Sequence, residues 1–254
     1  MLIYGRHAVA EALTAGTVLR VFVARGVRGA TVTEFERLAR AAGVPLELVP
    51  RIDLDQSLKT TAHQGLAAEL PELAYAEPDA PFALAEARTQ RPLLVALDGV
   101  TDPRNYGAIV RCAEALGAHG VVAEARRSPP LSATVAKAAA GAAAHLPLLQ
   151  VTNLPRYLGE LKERGMWVYG SAGDGSLASH EVDWDRDVVL VIGAEGRGMR
   201  RLVRETCDEV VRVPLRGHIG SLNAAAATAV LLHDIGLGRD GARAQTPSPT
   251  DEPR

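Results

Sequence analysis

The sequence predicts an α/β protein, with a mostly parallel β-sheet covered by helices and a smaller α/β unit in front of it. Three observations lead there. Apolar runs of strand length recur from Pro92 to Leu215. Helical segments separate most of them. Loops rich in Gly, Asn and Asp follow several of these strands. Near-continuous apolar strands alternating with helices are the pattern of a parallel sheet buried on both faces.

Taken in order, "LRVFVARG" (Leu19–Gly26) reads as a strand. "VTEFERLARAAG" (Val32–Gly43) is an amphipathic helix with glycine at its C-terminal stop. "PLELVP" (Pro45–Pro50) and "GLAAEL" (Gly65–Leu70) are two more strands, and the unit spans residues 1–74. Residues 75–90, acidic and Pro-containing, read as a linker. From residue 91 to 238 the second unit follows. Its strands are Pro92–Val100, Gly120–Ala125, Leu146–Val151, Met166–Ser171, Val188–Ala194 and Glu209–Leu215. "NYGAIVRCAEALGA" (Asn105–Ala118) is a helix between the first two, with Ile109, Cys112, Ala113 and Leu116 as its apolar stripe. An alanine-rich helix opening at Ser221, Leu222 and Asn223 closes the unit. Residues 239–254, polar and Pro-rich, predict a disordered tail.

The chain has 254 residues, 47% hydrophobic and 23% charged, enough for one or two domains with sizeable cores. Met1 to His7 lacks the charged-then-apolar pattern of a signal peptide. No apolar run approaches the ~20 residues of a membrane span. Two cysteines, Cys112 and Cys207, make no disulfide framework, which fits a cytoplasmic protein. The seven histidines have no metal-ligand spacing, so no metal is expected. Net charge is −2, and no global basic field advertises nucleic acid. The basic residues are nevertheless nearly all arginine, which suits planar phosphate contacts. Arg197, Arg200, Arg201, Arg204, Arg212 and Arg216 form a local cluster, partly offset by Glu205, Asp208 and Glu209.

In open α/β sheets ligands bind beyond the C-terminal ends of strands. Four loops there stand out: Asp98–Gly107, Gly170–Ser176, Gly193–Met199 and Arg216–Asn223. Together they predict a small-molecule pocket. "GAEGRG" has the wrong glycine order for a dinucleotide fingerprint, and no nucleoside-triphosphate loop exists. "YGSAG" is not a hydrolase elbow. Spacing alone therefore predicts a pocket without a named ligand. Ser221 and Asn223 read either as caps of an alanine helix or as polar pocket residues. Arg111 points away from its helix's apolar stripe, with Gly107 and Glu114. It is either a solvated side chain or a cation aimed at a phosphate.

Three segments, "DGVTDPRNYGAIVRCAEALGAHGV", "VVLVIGAEGRGMRRL" and "RVPLRGHIGSLNAAAATAVLL", resemble the successive motifs of the SpoU (TrmH) family of RNA ribose 2′-O-methyltransferases. "IYGRHAVAEAL" and "HQGLAAEL" resemble the boundaries of that family's ribosomal-protein-like substrate-binding domain. Within the family, "LDGVTDP", "VTNL", "GAEGRGMRRL" and "SLN" are most similar to members that methylate a guanosine of 23S ribosomal RNA. The resemblance implies S-adenosylmethionine as methyl donor, ribosomal RNA as partner, a homodimer, and a deep trefoil knot in the C-terminal part of the sheet. Periodicity alone would have predicted an unknotted one. It implies cofactor contacts from Gly193, Val213 and Leu222, with Ser171, Ala172, Gly196 and Leu215 beside them.

Asn105, Arg111, Glu195, Ser221 and Asn223 match the family's polar motif residues and are the implied catalytic set. The family role of the residue matching Arg111 is that of a base. A guanidinium pKa above ~12 makes its neutral form scarce, so binding the target phosphate and stabilising a developing alkoxide is physically easier. Asn105 and Glu195 would order the loops. Three rival readings are the same chemistry on tRNA, a non-catalytic RNA-binding protein of this fold, and an NAD-dependent oxidoreductase, which the missing fingerprint disfavours.

Overall fold

The computed structural model describes residues 1–27 and 29–245. In chain order, the first unit contains β1 (Leu2–Tyr4), α1 (Arg6–Thr14), β2 (Arg20–Ala24), α2 (Ala30–Ala41), β3 (Leu46–Val49), α3 (Arg51–Leu58) and β4 (Leu66–Glu69). Its four strands run in the order β1-β4-β2-β3, antiparallel except for the β2–β3 pair. β1, α1 and α3 were not anticipated. They are short and weakly patterned, and packing on Val9, Leu13 and Leu54 holds them.

The expected linker contains a helix, α4 (Ala80–Ala87), which opens with Pro81 in its first turn and buries Pro81 and Ala85. Then come β5 (Leu93–Asp98), α5 (Pro103–Ala115), β6 (Gly120–Glu124), α6 (Ala133–Ala139), β7 (Leu148–Val151), α7 (Leu154–Glu163), β8 (Trp167–Ser171), β9 (Leu177–Ala178), β10 (Val188–Gly193), α8 (Arg201–Thr206), β11 (Glu209–Arg212) and α9 (Ala224–Gln245). All seven strands of this sheet are parallel, in the order β7-β6-β5-β10-β8-β11-β9. β5 is buried along its whole length, as its unbroken apolar run requires. One core lies on the α5–α9 face and another on the α7–α8 face.

Two expectations at the C-terminus are corrected. α9 begins at Ala224, so Ser221 and Leu222 precede the helix. It also continues through Gln245, so residues 239–245 are helical. Arg239 anchors this stretch by donating to the carbonyls of Arg91, Pro92 and Arg186 at 2.8–3.0 Å. The rest of the expected tail, 246–254, lies outside the described residues. Among the described residues no helix is long and apolar enough to cross a membrane.

α5 starts two residues earlier than its pattern suggests, because Asp102 Oδ1 accepts from Arg104 N at 2.7 Å and Pro103 fits the first turn. Gly107, expected to share the outward face of Arg111, is instead buried against α6. A Cβ there would sit 2.5 Å from the Val135 carbonyl. Glycine permits the close approach of the two helices.

Candidate active site

The parallel register aligns the C-terminal ends of the central strands, with Gly193 of β10 level with Asp98 of β5. The loops after β8, β10 and β11 meet there around a cavity of 480 Å³. All seven expected cofactor residues line it: Ser171, Ala172, Gly193, Gly196, Val213, Leu215 and Leu222. Glu195, Ser221 and Asn223 line it too. The remaining wall is almost wholly glycine and aliphatic, and Glu195 is its one formal charge. A ligand held here is recognised by main-chain groups and apolar contact. Two glycines make the loops possible. A Cβ on Gly193 would lie 2.4 Å from the Gly198 backbone, and one on Gly175 would lie 2.5 Å from that of Val211.

At the mouth of the cavity three polar side chains from distant segments converge. Glu195 Oε1 accepts from Asn105 Nδ2 (3.0 Å), Asn223 Nδ2 (2.6 Å) and the Ala224 amide (3.2 Å). Asn223 Nδ2 also donates to Asn105 Oδ1 at 3.0 Å. The Asn223 Oδ1 meanwhile accepts from the Ala225 and Ala226 amides at 2.9 and 3.3 Å. Asn223 is therefore both the cap of α9 and a member of the cluster, using opposite ends of one amide. One oxygen of Glu195 thus accepts three donors and ties the loop after β10 to α5 and to the start of α9. Asn105, Glu195 and Arg197 border a second cavity of 330 Å³ under the β5–α5 loop.

Ser221 is exposed and makes no hydrogen bond among the described residues. Arg111 is not brought into the cluster. It is exposed and faces a separate groove between α5 and α1, bordered by Glu11, Thr14 and Ala140, without a hydrogen bond or ion pair among the described residues.

The arginine cluster is corrected. Arg201 pairs with Glu205, Arg204 with Asp174, and Arg212 donates to the carbonyls of Gly175 and Ser176. Arg200 is consumed by an unanticipated network. Its backbone amide and Nε bond the fully buried carboxylate of Asp98 at 2.6 and 2.5 Å, and its terminal nitrogen bonds Glu124. Burial works against the charge of Arg200. Hydrogen bonds and charge from Asp98, then Glu124, outweigh it and hold the guanidinium above its ordinary pKa. The signal for this clamp was Asp98 itself, a carboxylate at the end of an unbroken apolar strand.

The profile of the SpoU rRNA Methylase family matches residues 92–233. The chain belongs to this family. Residues 2–76 match the profile described as RNA 2′-O ribose methyltransferase substrate binding. The SpoU chain is 39% identical to the Bacillus subtilis protein YacO, named as a TrmH family tRNA/rRNA methyltransferase, over 92% of its own length and 94% of that protein's. It is 44% identical to an uncharacterised tRNA/rRNA methyltransferase of Mycobacterium ulcerans, over 93% of its length and 77% of the relative's. Its fold is that of the Streptomyces viridochromogenes SpoU methyltransferase AviRb, whose crystal structure holds AdoMet. The TM-score is 0.68, with 23% identity over 95% of this chain and 91% of the other.

Proposed function

We propose that this SpoU methylase transfers a methyl group from S-adenosylmethionine to a ribose 2′-oxygen in RNA, with a guanosine of 23S ribosomal RNA as target. The observation that carries the reading is the Asn105–Glu195–Asn223 cluster at the mouth of a glycine-walled cavity. A volume of 480 Å³ suits a small cofactor. The walls fit S-adenosylmethionine: glycine and alanine backbone near Ser171 and Gly193 for polar edges, Val213, Leu215 and Leu222 for apolar surface. When bound, it supplies an electrophilic methyl group.

The chain's own task is alignment of a weak nucleophile, worth up to about 7–11 kcal/mol in well-oriented systems. The cluster fixes the loop after β10 against the α9 N-terminus. Ser221, free to turn, is available to the incoming ribose hydroxyl. Arg111, which lies outside the cluster of its own chain, acts at the cavity of a second copy, where it binds the neighbouring phosphate and stabilises negative charge developing on the 2′-oxygen.

A homodimer belongs to this reading. Ala226, Val230, His233 and Leu237 form an exposed, largely apolar stripe on α9, beside the exposed Ile219 and Leu222. A second copy seated there lies at the cavity rim and can bring the guanidinium that the single chain's cavity lacks. The trefoil knot belongs to it as well. β10 is inserted between β5 and β8, and the segment after β11 returns to the 193–198 loop through Asn223. The 1–74 unit serves as the RNA-binding domain.

The test is single-turnover methylation of 23S and tRNA transcripts, with S-adenosylmethionine and NAD titrations alongside. Transfer to tRNA alone would move the target; no transfer and no S-adenosylmethionine binding would end the reading. Arg111→Ala should leave folding within about ±0.5 kcal/mol, as at ordinary exposed sites. It should slow transfer at least ~100-fold, about 2.7 kcal/mol. Wild-type turnover by a folded Arg111→Ala protein would remove Arg111 from the mechanism.

A further inference from the structure

The arginines of the second unit divide into two groups. Most are tied to carboxylates or carbonyls: Arg156 to Glu160, Arg164 to Asp79, Arg186 to Asp183 and Arg201 to Glu205 are examples. Apart from Arg111, four exposed arginines in the 92–241 segment make no hydrogen bond through their guanidinium and no ion pair among the described residues. They are Arg104, Arg126, Arg197 and Arg216. Each follows a strand's C-terminal end: Arg126 after β6, Arg104 after β5, Arg197 after β10 and Arg216 after β11. In the sheet order these strands span β6-β5-β10-β8-β11. At ~4.8 Å per strand, the row crosses about 19 Å of the edge.

The carboxylates of the same edge are all engaged by donors of the chain itself, Asp98 and Glu124 buried and Asp102, Asp174 and Glu195 exposed. Asp98 and Glu124 hold Arg200, Asp102 caps α5, and Glu195 holds Asn105 and Asn223. Asp174, after β8, pairs with Arg204. The loops after β6 and β11 contain no acidic residue. A chain of net charge −2 thus presents four unpaired guanidinium groups at one edge, where Asp98, Glu124 and Asp174 are ion-paired and Asp102 and Glu195 accept hydrogen bonds from amides. An unpaired surface charge is common; here four of the segment's five lie along the edge that carries the cavities, and Arg111 in the α1 groove is the fifth. The 330 Å³ cavity, bordered by Arg197 and Asn105, lies within the row.

We propose that Arg126, Arg104, Arg197 and Arg216 form a track for the phosphodiester backbone of RNA. The track runs across the strand ends and leads the target nucleotide to the cavity mouth. This rests on the proposed function and assigns the backbone's path within it. The phosphate contacts position the strand without reading its sequence. The Asp98–Glu124–Arg200 clamp silences the acidic ends of β5 and β6 that would otherwise repel it.

The experiment titrates the full chain with a fluorescein-labelled oligouridylate across a salt series. Arg126→Gln, Arg104→Gln, Arg197→Gln and Arg216→Gln are measured singly and combined. Each lost contact should lower the slope of log affinity against log salt by about 0.7, and the combination by about 2.8. Arg91→Gln, just before β5 at the opposite edge and paired with Asp185, is the control and should keep the wild-type slope. S-adenosylmethionine affinity, measured by calorimetry, should stay unchanged in all variants, which also reports that the cavity is folded. An unchanged slope in the folded quadruple variant would overturn the track while leaving methylation of RNA by the wild type, and so the proposed function, standing. Lost slopes in a protein that methylates no RNA would do the reverse.

Discussion

Asn223 illustrates how one side chain can answer to two demands. Its oxygen caps α9 and its nitrogen joins Glu195 to Asn105. Alanine there would remove both roles and separate nothing. Serine keeps a good capping oxygen but lacks the amide donor. Asn223→Ser should therefore lose no more than about 0.5 kcal/mol of stability, since serine ranks with asparagine as a cap. Methyl transfer should fall about 100-fold, the scale of losing one oriented polar group. Equal stability with equal turnover would reduce Asn223 to a cap. Asn223 was legible because it opens a helix where a bland sequence turns polar, whereas Asn105 and Glu195 were reached through the resemblance of their motifs to the family's. What was not legible was their mutual bonding, since Asn105 and Asn223 are 118 positions apart. Nor could Ser221 and Asn223 be told apart: both suit a cap, and only the start of α9 at Ala224 decides between them.

Among the elements, the buried strands and the long helices were visible in their periodicity, whereas short or weakly patterned ones were not. β1, β9, α3 and α4 have two to eight residues and take their form from what they pack on. The loop after β10 shows why sequence density misleads. Six arginines around it suggest phosphate contacts, but four are spent internally: Arg200 fastens this loop, Arg204 and Arg212 tie the segment between β8 and β9, and Arg201 pairs within α8. Arg200 fastens the Gly193–Met199 loop to β5 and β6 together. Arg200→Met keeps length and loses the guanidinium, leaving the buried Asp98 without its charged partner. Breaking such a pair from one side costs about 3–5 kcal/mol in buried settings. Arg200 is one-third exposed, so a loss near ~3 kcal/mol is expected. Urea denaturation should record it, and S-adenosylmethionine affinity should weaken with the loosened loop. Adding Asp98→Asn to Arg200→Met should recover part of the stability, because the stranded charge is gone. No recovery would mean that shape, not charge, holds the loop.

At the scale of the molecule, the two sheets are joined rather than strung together. Ala136 of α6 is buried in the first unit's core, Lys137 lies 4.7 Å over the Tyr4 ring, and the methyl of Ala15 packs against Gly141. The chain's entry into the second sheet is tied at His119, just before β6. Its Nδ1 accepts from the Leu93 amide at 3.1 Å, so the opposite nitrogen carries the proton and donates to Gln90 at 3.0 Å. Arg239 of α9 binds the carbonyls of Arg91 and Pro92 beside it. First burial, then the charges of Arg88 and Arg239, push the imidazole pKa down from 6.5 to about 4. The folded protein thus keeps His119 neutral while the unfolded chain protonates it near pH 6.5. Above that pH the contribution to stability is complete. As pH falls from 6.5 towards 4, only the unfolded chain gains the proton, and stability drops by up to about 1.4 kcal/mol per pH unit. Below about 4 the folded form protonates too and the loss levels off, at no more than about 3 kcal/mol in all. Carboxylates titrate at the lower end of this window, so the measurement is a difference. Asparagine at 119 keeps an acceptor for Leu93 and cannot titrate. Between pH 7 and pH 5 the urea midpoint of the wild type should fall more steeply than that of His119→Asn, and the two curves should converge as pH drops. Parallel curves would mean that this junction, where linker, sheet and last helix meet, does not set the protein's acid sensitivity.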